Sequence, residues 1–191
     1  MSRTRWMFLS MVTALLIIVS ACGNSGGNNG QTDQTKQTNV DNTDHSAMDH
    51  SGSGEVPEGL AEADNPKYPV GTKAVITANH MPGMKGAEAT IVGAYDTTAY
   101  VVSYNPTNGG PRVKNHKWVI HEEIDQAPEL PIERNSEVSI NADHMPGMKG
   151  AVAVIDDFEE TTVYMVDYTS TTGEKVKNHQ WVTEEELKPV K

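Results

Sequence analysis

The sequence predicts an all-β protein, two small SH3-like barrels in tandem related by internal duplication, behind a disordered N-terminal tether. Three observations predict it. His-Met-Pro-Gly-Met-Lys-Gly-Ala stands at 80–87 and again, unchanged, at 144–151, an offset of 64. Val-Lys-Asn-His-x-Trp-Val stands at 113–119 and 176–182, an offset of 63, and the missing residue falls in the intervening turn. Around these blocks β-branched and aromatic residues alternate with polar ones between Gly, Asn and Pro, which is how short half-buried strands read. Repetition on this scale makes each block one structural unit.

The N-terminus is an address. Arg3 and Arg5 precede a run from Met7 to Val19 that is apolar except for Ser10 and Thr13. A membrane-crossing helix needs about 20 such residues, so this run fits a signal-peptide core instead. Val19-Ser20-Ala21 then lead into Cys22, the single cysteine of the chain. Small residues before a cysteine form a lipobox, whose thiol receives a diacylglycerol and becomes the mature N-terminus. Two acyl chains hold a protein on a membrane where one would not. Residues 1–21 are thus expected to be removed and Cys22 lipidated, on the extracytoplasmic face of the cell membrane. An ordinary secretory signal with a chance cysteine is the alternative.

Residues 22–64 follow as tether. From Gly23 to Asp64 only seven of 42 residues are apolar, and eight acids face one base, Lys36. Such a segment buries too little to offset chain entropy. Asp44-His45-Ser46-Ala47-Met48-Asp49-His50 is its one cluster of ligand-type side chains. The whole chain carries a net charge of −11, and −13 once Arg3 and Arg5 are removed. Phosphates would be repelled, so nucleic acid is excluded as a partner. With one cysteine, disulfide frameworks, CxxC redox sites and cysteine-based zinc sites are excluded too.

Repeat 1 occupies 65–127 and repeat 2 occupies 128–191. Each is expected to hold about five short strands. In repeat 1 these include Ala74–Ala78, Ala89–Val92 and Thr98–Tyr104, matched in repeat 2 by Val138–Ala142, Val152–Ile155 and Thr161–Tyr168. A short helical turn is expected near Glu122–Ile124 and Glu184–Leu187. A barrel this small is marginal alone, so the two units should pack together.

Candidate chemistry lies in the repeated blocks. Pro82-Gly83 and Pro146-Gly147 suit the centre of type II turns, where Pro presets φ and Gly accepts a positive one. Each turn gathers a histidine and two methionines: His80, Met81 and Met84, then His144, Met145 and Met148. Thioether and imidazole suit Cu(I), whereas zinc prefers thiolate, imidazole or carboxylate. The residues leave open a second reading, a packing turn whose methionines fill a barrel end. His116 and Trp118, with His179 and Trp181, stand two apart on a strand, hence on one face. Trp118 and Trp181 read as core, and the histidines as further ligands or as loop-bonded side chains. His45, Met48 and His50 are candidate ligands in the tether. Asp156-Asp157 and Glu184–Glu186 read as solvated charge. No nucleophile elbow, HExxH or phosphate loop occurs, so no enzymatic activity is expected.

The lipobox, the His/Met-bearing tether and the twin HMPGMKGA…VKNHxWV blocks together resemble the YdhK-type, CopL-like lipoproteins of Gram-positive bacteria. The likeness spans essentially the whole mature chain. It implies a surface lipoprotein that binds copper and limits its entry or toxicity. A copper exporter or another copper-handling protein is a separate partner expectation. A cell-envelope-binding module without metal, and a general zinc or metal buffer, are the competing expectations.

Overall fold

The computed structural model describes residues 51–191, so Cys22 and the His45, Met48 and His50 cluster lie outside the described residues. Its strands are β1 (Ala61–Glu62), β2 (Lys73–Ile76), β3 (Glu88–Tyr104), β4 (Val113–Ile120), β5 (Glu137–Ser139), β6 (Val152–Thr169), β7 (Lys175–Thr183) and β8 (Leu187–Pro189). Single 3-10 turns, His121–Glu123 and Glu184–Glu186, follow β4 and β7. All eight strands belong to one sheet. Along it β5, β6, β3, β2 and β8 succeed one another, with β1 and β4 also on β3 and β7 on β6.

All-β architecture and duplication hold, but the units do not close as two separate barrels. They share the long antiparallel pair β3–β6, which runs from Ala89 opposite Tyr168 to Tyr104 opposite Ala153. The runs 89–92 and 98–104, expected as two strands, are one, because the polar Asp96–Thr98 stretch between them stays paired to β6. Val92 in β3 and Asp156 in β6 are the extra residues where the register shifts, and they stand 64 apart, at equivalent positions. Bulges bend and twist a strand locally, so each long strand has two differently directed halves.

Those halves build two lobes, each drawn from both repeats. In one, Ala74, Ile76, Met84 and Ile91 of repeat 1 pack with Tyr164, Val166, Val176 and Leu187 of repeat 2. The other joins Tyr100, Val102, Tyr104 and Val119 of repeat 1 to Val138, Ile140, Met148 and Ile155 of repeat 2. The chain ends of the repeats are exchanged in the same sense. β8 pairs with β2, placing Ile76 opposite Leu187, and Ile124 bridges Ile140. A third cluster buries Trp118, Trp181, Ile120 and Val163, again from both repeats. Full burial of one such apolar side chain stabilises by about 1.5–3 kcal/mol, and neither repeat reaches this burial without the other.

Residues 51–64, assigned to the tether from composition, run along this fold. Gly52 N donates to Lys177 O at 2.9 Å, Gln180 Nε2 donates to Glu55 O at 2.9 Å, and β1 pairs with β3. The backbone of 51–62 finds partners that its apolar content could not announce.

Candidate metal site between the two repeats

Each His-Met-Pro-Gly-Met block forms the expected turn. Met84 N donates to Met81 O at 3.3 Å and Met148 N to Met145 O at 3.1 Å, with φ of +73° at Gly83 and +82° at Gly147. The opposite repeat then clamps the turn: Thr171 N donates to Gly83 O, and Thr107 N to Gly147 O, both at 2.8 Å.

The two methionines of a turn part company. Met84 and Met148 are wholly buried in the two apolar lobes. Met81 and Met145 line a cleft of about 760 Å³. The paired-thioether ligand set drawn from the sequence is therefore corrected: the spacing that closes the turn drives the second methionine into the core.

His80, His116, His144 and His179 all line the same cleft as Met81 and Met145. Partnership crosses the repeats. The His116 and His144 rings lie 6.2 Å apart, centroid to centroid. Tyr104 packs edge-on against His116, and Tyr168 against His179, at 6.1 and 5.9 Å. Tyr104 Oη also directs its proton toward Met145 Sδ at 4.0 Å. Burial pushes the Tyr104 phenol up to about 12. Among the described residues no three His, Cys, Asp or Glu side chains form a ready metal cage.

Glu186, read from the sequence as solvated charge, and Glu123, which that reading passed over, also line the cleft. Glu186 Oε1 lies 2.6 Å from His80 Nε2, while its Oε2 accepts from Trp118 Nε1 at 2.8 Å and from Thr183 N at 3.1 Å. Glu123 repeats this with His144 Nε2 at 2.6 Å, Trp181 Nε1 at 3.2 Å and Ile120 N at 3.1 Å. In each trio the histidine and tryptophan come from one repeat and the glutamate from the other. Exchanged backbone bonds bring them there, Glu186 O accepting from Thr77 N and Glu123 O from Asn141 N. A signal existed: Glu123 and Glu186 each stand five residues beyond the motif tryptophan.

Burial resists the charge of Glu186, but the bonds from His80, Trp118 and Thr183 outweigh it and hold its pKa below 4.5. Burial likewise resists protonation of His144, and the field and hydrogen bond of Glu123 override it, leaving the pKa above 6.5. Trp118 and Trp181 are core, as read, and serve also as donors that fix the carboxylates.

The family model described as Protein of unknown function (DUF1541) matches residues 70–121 and 135–184. The protein described as uncharacterised protein YdhK of Bacillus subtilis is 60% identical over 178 residues, covering 93% of this chain and 85% of the relative. A crystal structure of that YdhK superposes with a TM-score of 0.73 at 65% identity, over 76% of this chain and all of the other. The solution structure of its C-terminal domain gives a TM-score of 0.59 at 66% identity, over 62% of this chain and 91% of the other. The chain therefore belongs to the DUF1541 family, carrying one copy of the family unit in each repeat.

Proposed function

We propose that the protein is a non-enzymatic, extracytoplasmic copper-binding lipoprotein, anchored through Cys22 and buffering Cu(I) at the membrane surface. One observation carries this reading: a single cleft collects the four duplicated histidines and two of the duplicated methionines, His80, His116, His144, His179, Met81 and Met145. Imidazole with thioether is a donor set that favours Cu(I) over the harder metals. The tether ligands His45, Met48 and His50 would add a second, looser store. The resemblance to CopL-like lipoproteins supports the reading, and a copper exporter or other copper-handling protein is the partner we propose.

Residues 23–191 should be titrated with Cu(I) against a chromophoric competitor. The same titration is run with Met81 and Met145 changed to Leu, and with 44–50 deleted. Loss of affinity in the methionine variant is expected. No binding by the unaltered protein would refute the copper function. Unchanged binding in the methionine variant, with zinc bound equally well, would favour a histidine-based general metal buffer.

A further inference from the structure

The geometry points to Nδ1 of His80 and Nδ1 of His144 as the ring atoms that take the metal, with Glu186 and Glu123 as positioning residues supplied by the opposite repeat. This deepens the copper reading and rests on it. The argument starts from hydrogen-bond inventory. An ionised carboxylate only accepts. Glu186 Oε2 is already engaged by two donors, the Trp118 indole and the Thr183 amide, so Oε1 is the oxygen left for His80. Nε2 of His80 must then be the protonated nitrogen. In a neutral imidazole the other nitrogen, Nδ1, carries the lone pair. Nδ1 is buried and has no hydrogen-bond partner, and the same holds for Nδ1 of His144.

A buried acceptor without a partner costs about 1–3 kcal/mol. A buried histidine that serves only structure would be expected to satisfy both nitrogens. Here both copies leave the same atom open, on rings that line the cleft beside Met81 and Met145. A histidine whose far N–H is given to a carboxylate is the arrangement that fixes tautomer and ring orientation behind a metal. The duplicated indole and amide donors hold each carboxylate in turn. Because each glutamate belongs to the other repeat, neither histidine is oriented unless the repeats are exchanged.

Replacing Glu186 and Glu123 by Gln makes a sharp test, since the shape is kept. A Gln side chain has to present its oxygen to the indole and amide N–H groups. Its NH2 group then faces His Nε2 and converts that nitrogen into an acceptor. The proton moves to Nδ1 and blocks it. Every hydrogen bond of the trio survives, so a purely structural trio would leave metal affinity untouched.

The experiment compares residues 23–191 with the E123Q/E186Q variant by imidazole 15N correlation NMR and by competitive Cu(I) titration. In the unaltered protein, His80 and His144 are expected as Nε2–H tautomers, with the Nδ1 resonances moving on Cu(I) addition. In the variant the tautomer inverts and Cu(I) affinity falls by about 10- to 100-fold. An inverted tautomer with unchanged affinity overturns the assignment, as does an unaltered protein carrying its proton on Nδ1. Should the variant fail to fold, the unaltered protein decides alone: bound Cu(I) that leaves both Nδ1 resonances in place refutes the assignment. Failure of the copper reading shows separately, as absence of any Cu(I) binding by the unaltered protein.

Discussion

Thr97 on β3 stands directly opposite Thr161 on β6, its own counterpart in the other repeat. A residue paired with its equivalent lies on the symmetry axis, so the pseudo-twofold of the molecule passes between these two threonines. Isologous contact of this kind is what joins the subunits of a symmetric dimer. The molecule is in effect an exchanged dimer written into one chain.

The first prediction follows from that axis. Residues 128–191 produced alone lack the strands that complete either lobe. They should be unfolded at low concentration, or fold only as a dimer in which a second copy takes the place of repeat 1. Sedimentation combined with far-ultraviolet circular dichroism checks this. A folded monomer would show that one repeat closes a core by itself.

What was legible in the sequence is what is local. The strands, the Pro-Gly turns and the core tryptophans follow from neighbours within a few residues. The exchange was not legible, because a strand pattern reads the same whether the strand returns to its own repeat or crosses to the other. Met84 is illegible for a related reason: spacing places it beside Met81 across the turn, and only the fold brings it into one buried cluster with Tyr164 and Leu187 of the other repeat. Glu186 reads as solvated charge, and Glu123 as no more than part of a short turn, because their partners are remote, 106 and 21 residues away at His80 and His144.

The split between methionines gives a second prediction. Met84→Ala or Met148→Ala opens a cavity in a closed lobe and should cost about 2–5 kcal/mol. The conservative Met84→Leu/Met148→Leu pair should cost less than about 1.5 kcal/mol per site and leave Cu(I) affinity intact. Met81→Leu/Met145→Leu should do the reverse, sparing stability and weakening Cu(I) binding about tenfold, the equivalent of ~1.4 kcal/mol. Urea unfolding and competitive titration on the same four proteins decide it. Equal loss of affinity in both Leu pairs would return Met84 and Met148 to the site.

Gly147 gives the third. Its φ is +82°, and a Cβ there would stand 2.7 Å from the Asn108 side chain that belongs to the clamp of the opposite repeat. Gly150 has a similar φ of +77° but open space around it. Backbone strain alone costs about 1–3 kcal/mol for a non-glycine residue in this region. Gly150→Ala should show that cost alone. Gly147→Ala should exceed it, because Asn108 must also yield and its bond to Pro146 O at 3.3 Å is put at risk. Urea midpoints of the two variants test the order. Equal midpoints would mean that the clamp contributes nothing to holding the turn.

The tyrosines supply a prediction for alkaline pH. Burial raises the phenols of Tyr95, Tyr100, Tyr164 and Tyr168 above 10.0, and that of Tyr104 to about 12. A phenol is neutral when protonated, so a raised folded pKa means that the fold favours the protonated form. That contribution is fully present below the unfolded value near 10 and is lost as pH rises through the folded value. Phenolate formation should therefore be delayed beyond pH 10 and then accompany unfolding, instead of preceding it residue by residue. Near-ultraviolet absorbance followed together with tryptophan fluorescence reads both events in one titration. Tyr104→Phe/Tyr168→Phe removes two of the groups whose ionisation pulls the chain open. Its unfolding midpoint should move to higher pH, with the neutral-pH fold unchanged. Smooth phenolate titration centred near 10 with constant fluorescence would show that the rings are reached by solvent without opening the lobes.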